Sequence, residues 1–170
     1  MPSENIESIQ SIFQSRLTNL EHLLKLAQTH FNESESFLQK RIAADMFPLG
    51  TQIAFTCNQP RNFALWCDSK PMDNLNPEVS SLAQAYEHIA NTKELLSGIN
   101  ASDEKLSEVT RIDLSPGVYI EMVGSAYVND FLMPNFYFHL VTAYDILRMV
   151  GVPIGKRDYM MHLVPFLKQL

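Results

Sequence analysis

Apolar residues recur at alternating spacings of three and four from Ile6 to Phe31: Ile6, Ile9, Phe13, Leu17, Leu20, Leu24, Ala27 and Phe31. That period places them on one stripe of a helix about seven turns long. Glu7, Gln10, Gln14, Arg16, Asn19, Glu21 and Lys25 fall on its polar sides. A second periodic run follows "HFNESES", where Asn32 or Ser34 can cap, and passes through Leu38, Ile42, Met46, Leu49, Ile53 and Cys57. Pro48 sits inside it, and a proline there predicts a kink or break near Asp45 to Phe47. "CNQPRNFALWC" continues the helix or restarts it after Pro60.

The motif "NPEV" predicts the start of a third helix, with Asn76 as N-cap, Pro77 in the first turn and Glu78 against the dipole. Val79, Leu82, Tyr86, Ile89 and Leu96 form its stripe, and Gly98 is its stop. The period then changes to two. "TRIDL" and "VYIEM" alternate around Ser115-Pro116-Gly117, which reads as a hairpin closed by a proline–glycine turn. A fourth helix spans about residues 125–150, interrupted early by Pro134 and ended by Gly151 and Pro153. The apolar tail "MMHLVPFLKQL" requires a packing partner. Together these elements predict one all-α domain over residues 1–170: an up-down-up-down four-helix bundle, with a small β-hairpin between helices three and four.

Composition narrows the partners. With 46% hydrophobic and 19% charged residues the chain reads as a soluble globular protein. No apolar run approaches the roughly 20 residues that span a bilayer. The opening "MPSENIESIQ" is polar and lacks an apolar signal core, so no membrane partner and a cytoplasmic location are expected. The net charge of −6, with only Lys156–Arg157 as a basic pair, argues against a phosphate-tracking surface and hence against nucleic acid. Cys57 and Cys67 lack Cys-x-x-Cys spacing and read as buried thiols.

Candidate chemistry centres on the fourth helix. Leu132, Asn135, His139, Thr142, Ile146 and Met149 share one stripe, and Asn135 and His139 stand one turn apart on it. That is the spacing by which one helix offers two ligands to one ion, although the first position is an amide. The alternative is a buried histidine satisfied by a neighbour such as Tyr86, Tyr127 or Thr142. His22 and His88 fall off their apolar stripes and read as surface residues. No nucleophile elbow, P-loop or His-Glu-x-x-His is present.

"DMFPLGTQIAF" (Asp45 to Phe55) and "PNFYFHLVTAYDILRMVGVPIGKRDY" (Pro134 to Tyr159) resemble a domain-of-unknown-function branch of the DinB/YfiT-like superfamily, a resemblance that implies metalloenzyme relatives. The resemblance implies a DinB-like bundle, a homodimer, and a zinc or nickel ion held by one histidine on the second helix and a His-x-x-x-His on the fourth. His139 matches the last of these; Asn135 stands in the first position of the pair, and Gln52 falls near the second-helix histidine. One imidazole and two amides predict a degenerate metal site, since amide oxygen suits zinc and nickel poorly. The expected function is therefore binding of a small ligand in a polar and aromatic pocket formed by Gln52, Asn135, His139, Phe136 and Tyr86, with no cofactor required. The alternative is an active metal-dependent hydrolase or thiol transferase using His139.

Overall fold

The computed structural model describes residues 5–169; the polar opening Met1–Glu4 and the last residue, Leu170, lie outside them. Helix α1, Ile6–His30, begins where the Asn5 side chain accepts a hydrogen bond from the Ser8 amide and ends one turn after its last buried residue, Ala27. Its predicted stripe is buried from Ile6 to Ala27, while Phe31 is the half-buried C-cap. Phe13 lies at the centre of the core, its ring 5.5 Å from Phe63 and 5.0 Å from Phe136. Side chains of this size account for about 3–5 kcal/mol each when truncated in a core.

Helix α2, Leu49–Cys67, starts immediately after Pro48 and runs through Pro60 without a break. The segment before it is a short 3₁₀ turn, Ser36–Gln39, followed by irregular chain, so the periodic run expected through Ile42 and Met46 does not form a helix ahead of Pro48. Helix α3 is Leu82–Ser97, capped by the Ser81 side chain rather than by Asn76. Asn76 instead closes a turn on the Glu78 amide, and Val79 is buried outside any helix. Strands β1 (Val109–Ser115) and β2 (Val118–Val123) pair antiparallel, with Ile112 opposite Ile120. Gly117 takes the left-handed conformation that the turn requires, at φ 77°. The Trp66 indole N–H donates to the Thr110 hydroxyl at 2.8 Å, pinning the hairpin to the end of α2.

Helix α4, Met133–Met149, is entered through a turn at Gly124–Ala126 and a π-helical turn, Tyr127–Leu132. The wider turn precedes Pro134, which has no amide hydrogen to offer and whose ring would crowd a regular α-helical carbonyl four residues back. After α4 the chain doubles back along α1. The Asn19 amide donates to the Tyr159 carbonyl and to His162 Nδ1, at 2.7 and 2.8 Å, and His22 pairs with Asp158 at 3.1 Å. Asn19 is therefore buried rather than on a polar side, and His22 is half-buried and paired. His88, also placed at the surface by its position off the stripe, is half-buried, and its Nε2 is enclosed without a partner among the described residues.

The four helices form the predicted bundle with the hairpin between the third and fourth, but their directions run up-down-down-up. Helices α1 and α3 are antiparallel: Gln10 reaches the Leu96 carbonyl at one end, and Tyr86 reaches Gln28 at the other. Helices α2 and α4 are likewise antiparallel, Gln52 meeting His139 and Trp66 packing on Tyr127. Helices α2 and α3 run parallel, because the connection between them returns along the length of α2. Asn62 binds Asn74 and the Asp73 amide, Asn58 accepts from the Leu75 amide, and Thr51 donates to the Pro77 carbonyl. Among the described residues no helix is long and apolar enough to cross a membrane.

The returning segment crosses α2 closely at Gly50, where an added Cβ would meet the Val79 carbonyl oxygen. Gly50→Ala is expected to destabilise the fold by roughly 1–3 kcal/mol, the usual cost of overpacking. Gly155→Ala, whose added methyl meets nothing, should change it little. Urea denaturation of both variants checks this, and equal midpoints would refute the close crossing.

Candidate functional site

The seam between α2 and α4 holds the chemistry. Gln52, 2% exposed, sits in the first turn of α2 and donates its Nε2 to the Phe47 carbonyl at 3.2 Å. That bond commits the amide nitrogen, so the carbonyl oxygen is the atom presented to α4, where it lies 2.8 Å from His139 Nδ1. Nδ1 must then carry the ring proton and donate it to Gln52 Oε1. Nε2 keeps its lone pair and has no hydrogen-bond partner among the described residues. Burial lowers the His139 pKa from 6.5 to about 4, so the imidazole is neutral at pH 7.

Aromatic rings surround it. Phe55 lies 5.2 Å from the imidazole and Phe138 lies 5.1 Å away, both edge-on. Phe47 packs edge-on against Phe55 at 5.2 Å. Phe47 and Phe138 are 57% and 58% exposed, so this aromatic cluster opens to solvent on one side. The local cause is the chain's course at each helix start. Pro48 turns the chain so that Phe47 leaves the core just before α2 begins, and Phe138 falls on the outer side of α4 beside His139.

The five residues expected to share a pocket separate into four places. Gln52 and His139 meet directly. Asn135 lies one turn from His139, but its Nδ2 donates to the Phe131 carbonyl at 2.8 Å, at the junction of the π turn and α4. Phe136 is fully buried against Phe13, and the Tyr86 hydroxyl donates to Gln28 on the seam between α1 and α3. The residues that the sequence reading passed over are Phe47, Phe55 and Phe138. A signal for Phe55 was present: it follows Gln52 by three positions, so it shares that helix face.

Toward a cation, the site offers the His139 Nε2 lone pair and the Asn135 amide oxygen, the Gln52 oxygen being occupied by the imidazole N–H. Among the described residues no group of three or more His, Cys, Asp or Glu side chains is placed to hold a metal ion. The two thiols do not contribute. Cys57 and Cys67 are free and buried, and burial pushes each up to about 12.

A four-helix bundle with a hairpin between its third and fourth helices is a DinB-like fold. Residues 7–160 match the model of the family described as Domain of unknown function (DUF1993), and the chain belongs to that family. Among solved structures it is similar to a DinB family member protein from Shewanella denitrificans, with a TM-score of 0.76 and 26% identity. That match covers 92% of this chain and 96% of the other. A search of curated proteins found no match.

The His139 pKa has a measurable consequence. Because the folded value lies below the unfolded one, the neutral ring contributes stability above pH 6.5, and this is lost as pH falls toward about 4. Following the imidazole carbon-bound protons by NMR should show His139 titrating near pH 4. Gln52→Glu, which sets a carboxylate against Nδ1, should raise that pKa by at least one unit. An unchanged value would break the assigned contact.

Proposed function

We propose that this protein binds a small, neutral, partly aromatic molecule at His139. The ligand would donate an N–H or O–H to the Nε2 lone pair and pack against Phe47, Phe55 and Phe138. The observation that supports this is the Gln52–His139 hydrogen bond. It sets the tautomer, so a preorganised acceptor stands among exposed aromatic rings. Burial keeps that acceptor uncharged, which favours a neutral donor over an anion.

The residues present do not fit a resident zinc or nickel ion. Such ions take three or four imidazole, thiolate or carboxylate ligands. Here one imidazole nitrogen stands beside an amide whose nitrogen is bound to its own helix. The second reading, a metal-dependent enzyme, draws on a single feature: a ligating histidine commonly donates its other N–H to a carbonyl, as His139 does to Gln52.

Two measurements on the untagged chain separate these readings. Titration with phenol, followed by NMR, should shift resonances of His139, Phe55 and Phe138, and His139→Ala should abolish the shifts. Elemental analysis after exposure to zinc should find well under one ion per chain. One zinc per chain, lost in His139→Ala, would overturn the proposal in favour of the metal-dependent enzyme.

A further inference from the structure

The chain that follows α4 is fastened to α1 at two points, and a histidine stands at each. At the first, His22 Nε2 meets Asp158 Oδ1, in the short helix Lys156–Tyr159, at 3.1 Å. At the second, Asn19 Nδ2 donates to the Tyr159 carbonyl at 2.7 Å and to His162 Nδ1 at 2.8 Å. Asn19 is 2% exposed, so both of its N–H bonds depend on these partners. Among the described residues, the chain beyond His162 forms hydrogen bonds only with its own neighbours in sequence, as from the Leu167 amide to the Val164 carbonyl. Leu163, Val164, Phe166 and Leu167 are all exposed, so apolar burial does little to hold it.

The two histidines answer a falling pH in opposite ways. A carbonyl can only accept, so the Asn19 amide nitrogen is the atom that faces Tyr159, and the same nitrogen makes His162 Nδ1 an acceptor. Neutral His162 therefore carries its proton on Nε2, and the next proton enters at Nδ1. That turns an acceptor into a donor aimed at a donor, and leaves a buried Asn19 N–H unpaired. Arg16, Asn19 and His22 stand three residues apart on one face of α1. Burial, and then the Arg16 charge, disfavour the imidazolium of His162 while the segment is docked. At His22 the same proton creates a full ion pair with Asp158. The Gly155 amide and His22 hold that carboxyl below its usual range, so it stays ionised in mild acid.

We propose that protonation of His162 is a switch that releases residues 161–169 from α1, while the His22–Asp158 contact keeps the short helix before them in place. The sign follows from the docked state's preference for neutral imidazole. The segment is held above the 6.5 of a free imidazole and is let go as pH falls below it. Release frees an apolar stretch that carries Lys168 and opens Asn19 to water. His139, whose own titration lies near pH 4, takes no part.

The test is NMR relaxation of the full chain between about pH 7.5 and about pH 5, following the His162 ring protons in the same titration, with circular dichroism to verify folding. Amide order parameters over residues 163–168 should fall from about 0.85 to below about 0.6 along the His162 titration, while those of α1 and α4 hold. His162→Ala should leave the segment mobile at both pH values. His162→Gln, whose side-chain oxygen accepts from Asn19 without titrating, should keep it ordered at both. A wild-type segment equally ordered, or equally mobile, at both pH values would overturn the proposal. So would a segment that stays ordered in His162→Ala, acid release that persists in His162→Gln, or a loss of order that reaches α1 and α4 at the same pH.

Discussion

Three polar side chains on one face of α2 decide how the rest of the bundle is arranged. Thr51, Asn58 and Asn62 are buried, and each spends its hydrogen bonds on the backbone or side chains of the segment that follows α2. Leaving such groups buried and unpaired would cost about 1–3 kcal/mol apiece, so the segment is held along the helix rather than free to loop away. It therefore returns to the end at which α2 began, and α3 starts there and runs parallel to α2. The place of α1 against α3, and of α4 on the opposite side of α2, follows from that return.

The same helix orients the candidate site. Gln52 uses one end of its amide on the Phe47 carbonyl and the other on His139, so the loop before α2 and the imidazole on α4 are tied through one side chain. On α4 the π turn before Pro134 and the Asn135 amide bound to Phe131 settle the backbone around the residue that a two-histidine motif would have used. The hydrogen bond to the Phe131 carbonyl at the helix junction, rather than ligand duty, accounts for Asn135's amide nitrogen. His139 is left as a neutral acceptor among rings, a different chemical object from one member of a metal triad.

At the other side of the molecule, α1 carries a second polar device. Asn19 is buried within an otherwise apolar face and holds two successive parts of the returning chain, while His22 holds Asp158. Hydrogen bonds from the Gly155 amide and from His22 keep the Asp158 carboxyl below its usual range, which sustains the charge opposite His22 near neutral pH. The chain after α4 is thus anchored by polar contacts through His162, and its apolar residues beyond that point are displayed.

The stripes of α1 and α3, the hairpin about Gly117 and the break at Pro48 were legible because each rests on local sequence: a period, a turn type, a missing amide hydrogen. Burial of both cysteines was read instead from their lack of a metal- or disulfide-forming spacing, and both are buried. His139 stood out on its own helical stripe, but its meeting with Gln52 was legible only through a family resemblance, which aligned two positions 87 residues apart. The start of α3 was misplaced at Asn76 because an asparagine followed by proline and glutamate satisfies a local turn as well as a helix cap. What the tertiary structure alone decided are the direction of α3, the aromatic setting of His139, and the burial of Asn19. Each depends on polar groups finding partners across the fold, and a side chain's partner is not written in its own neighbourhood of the chain.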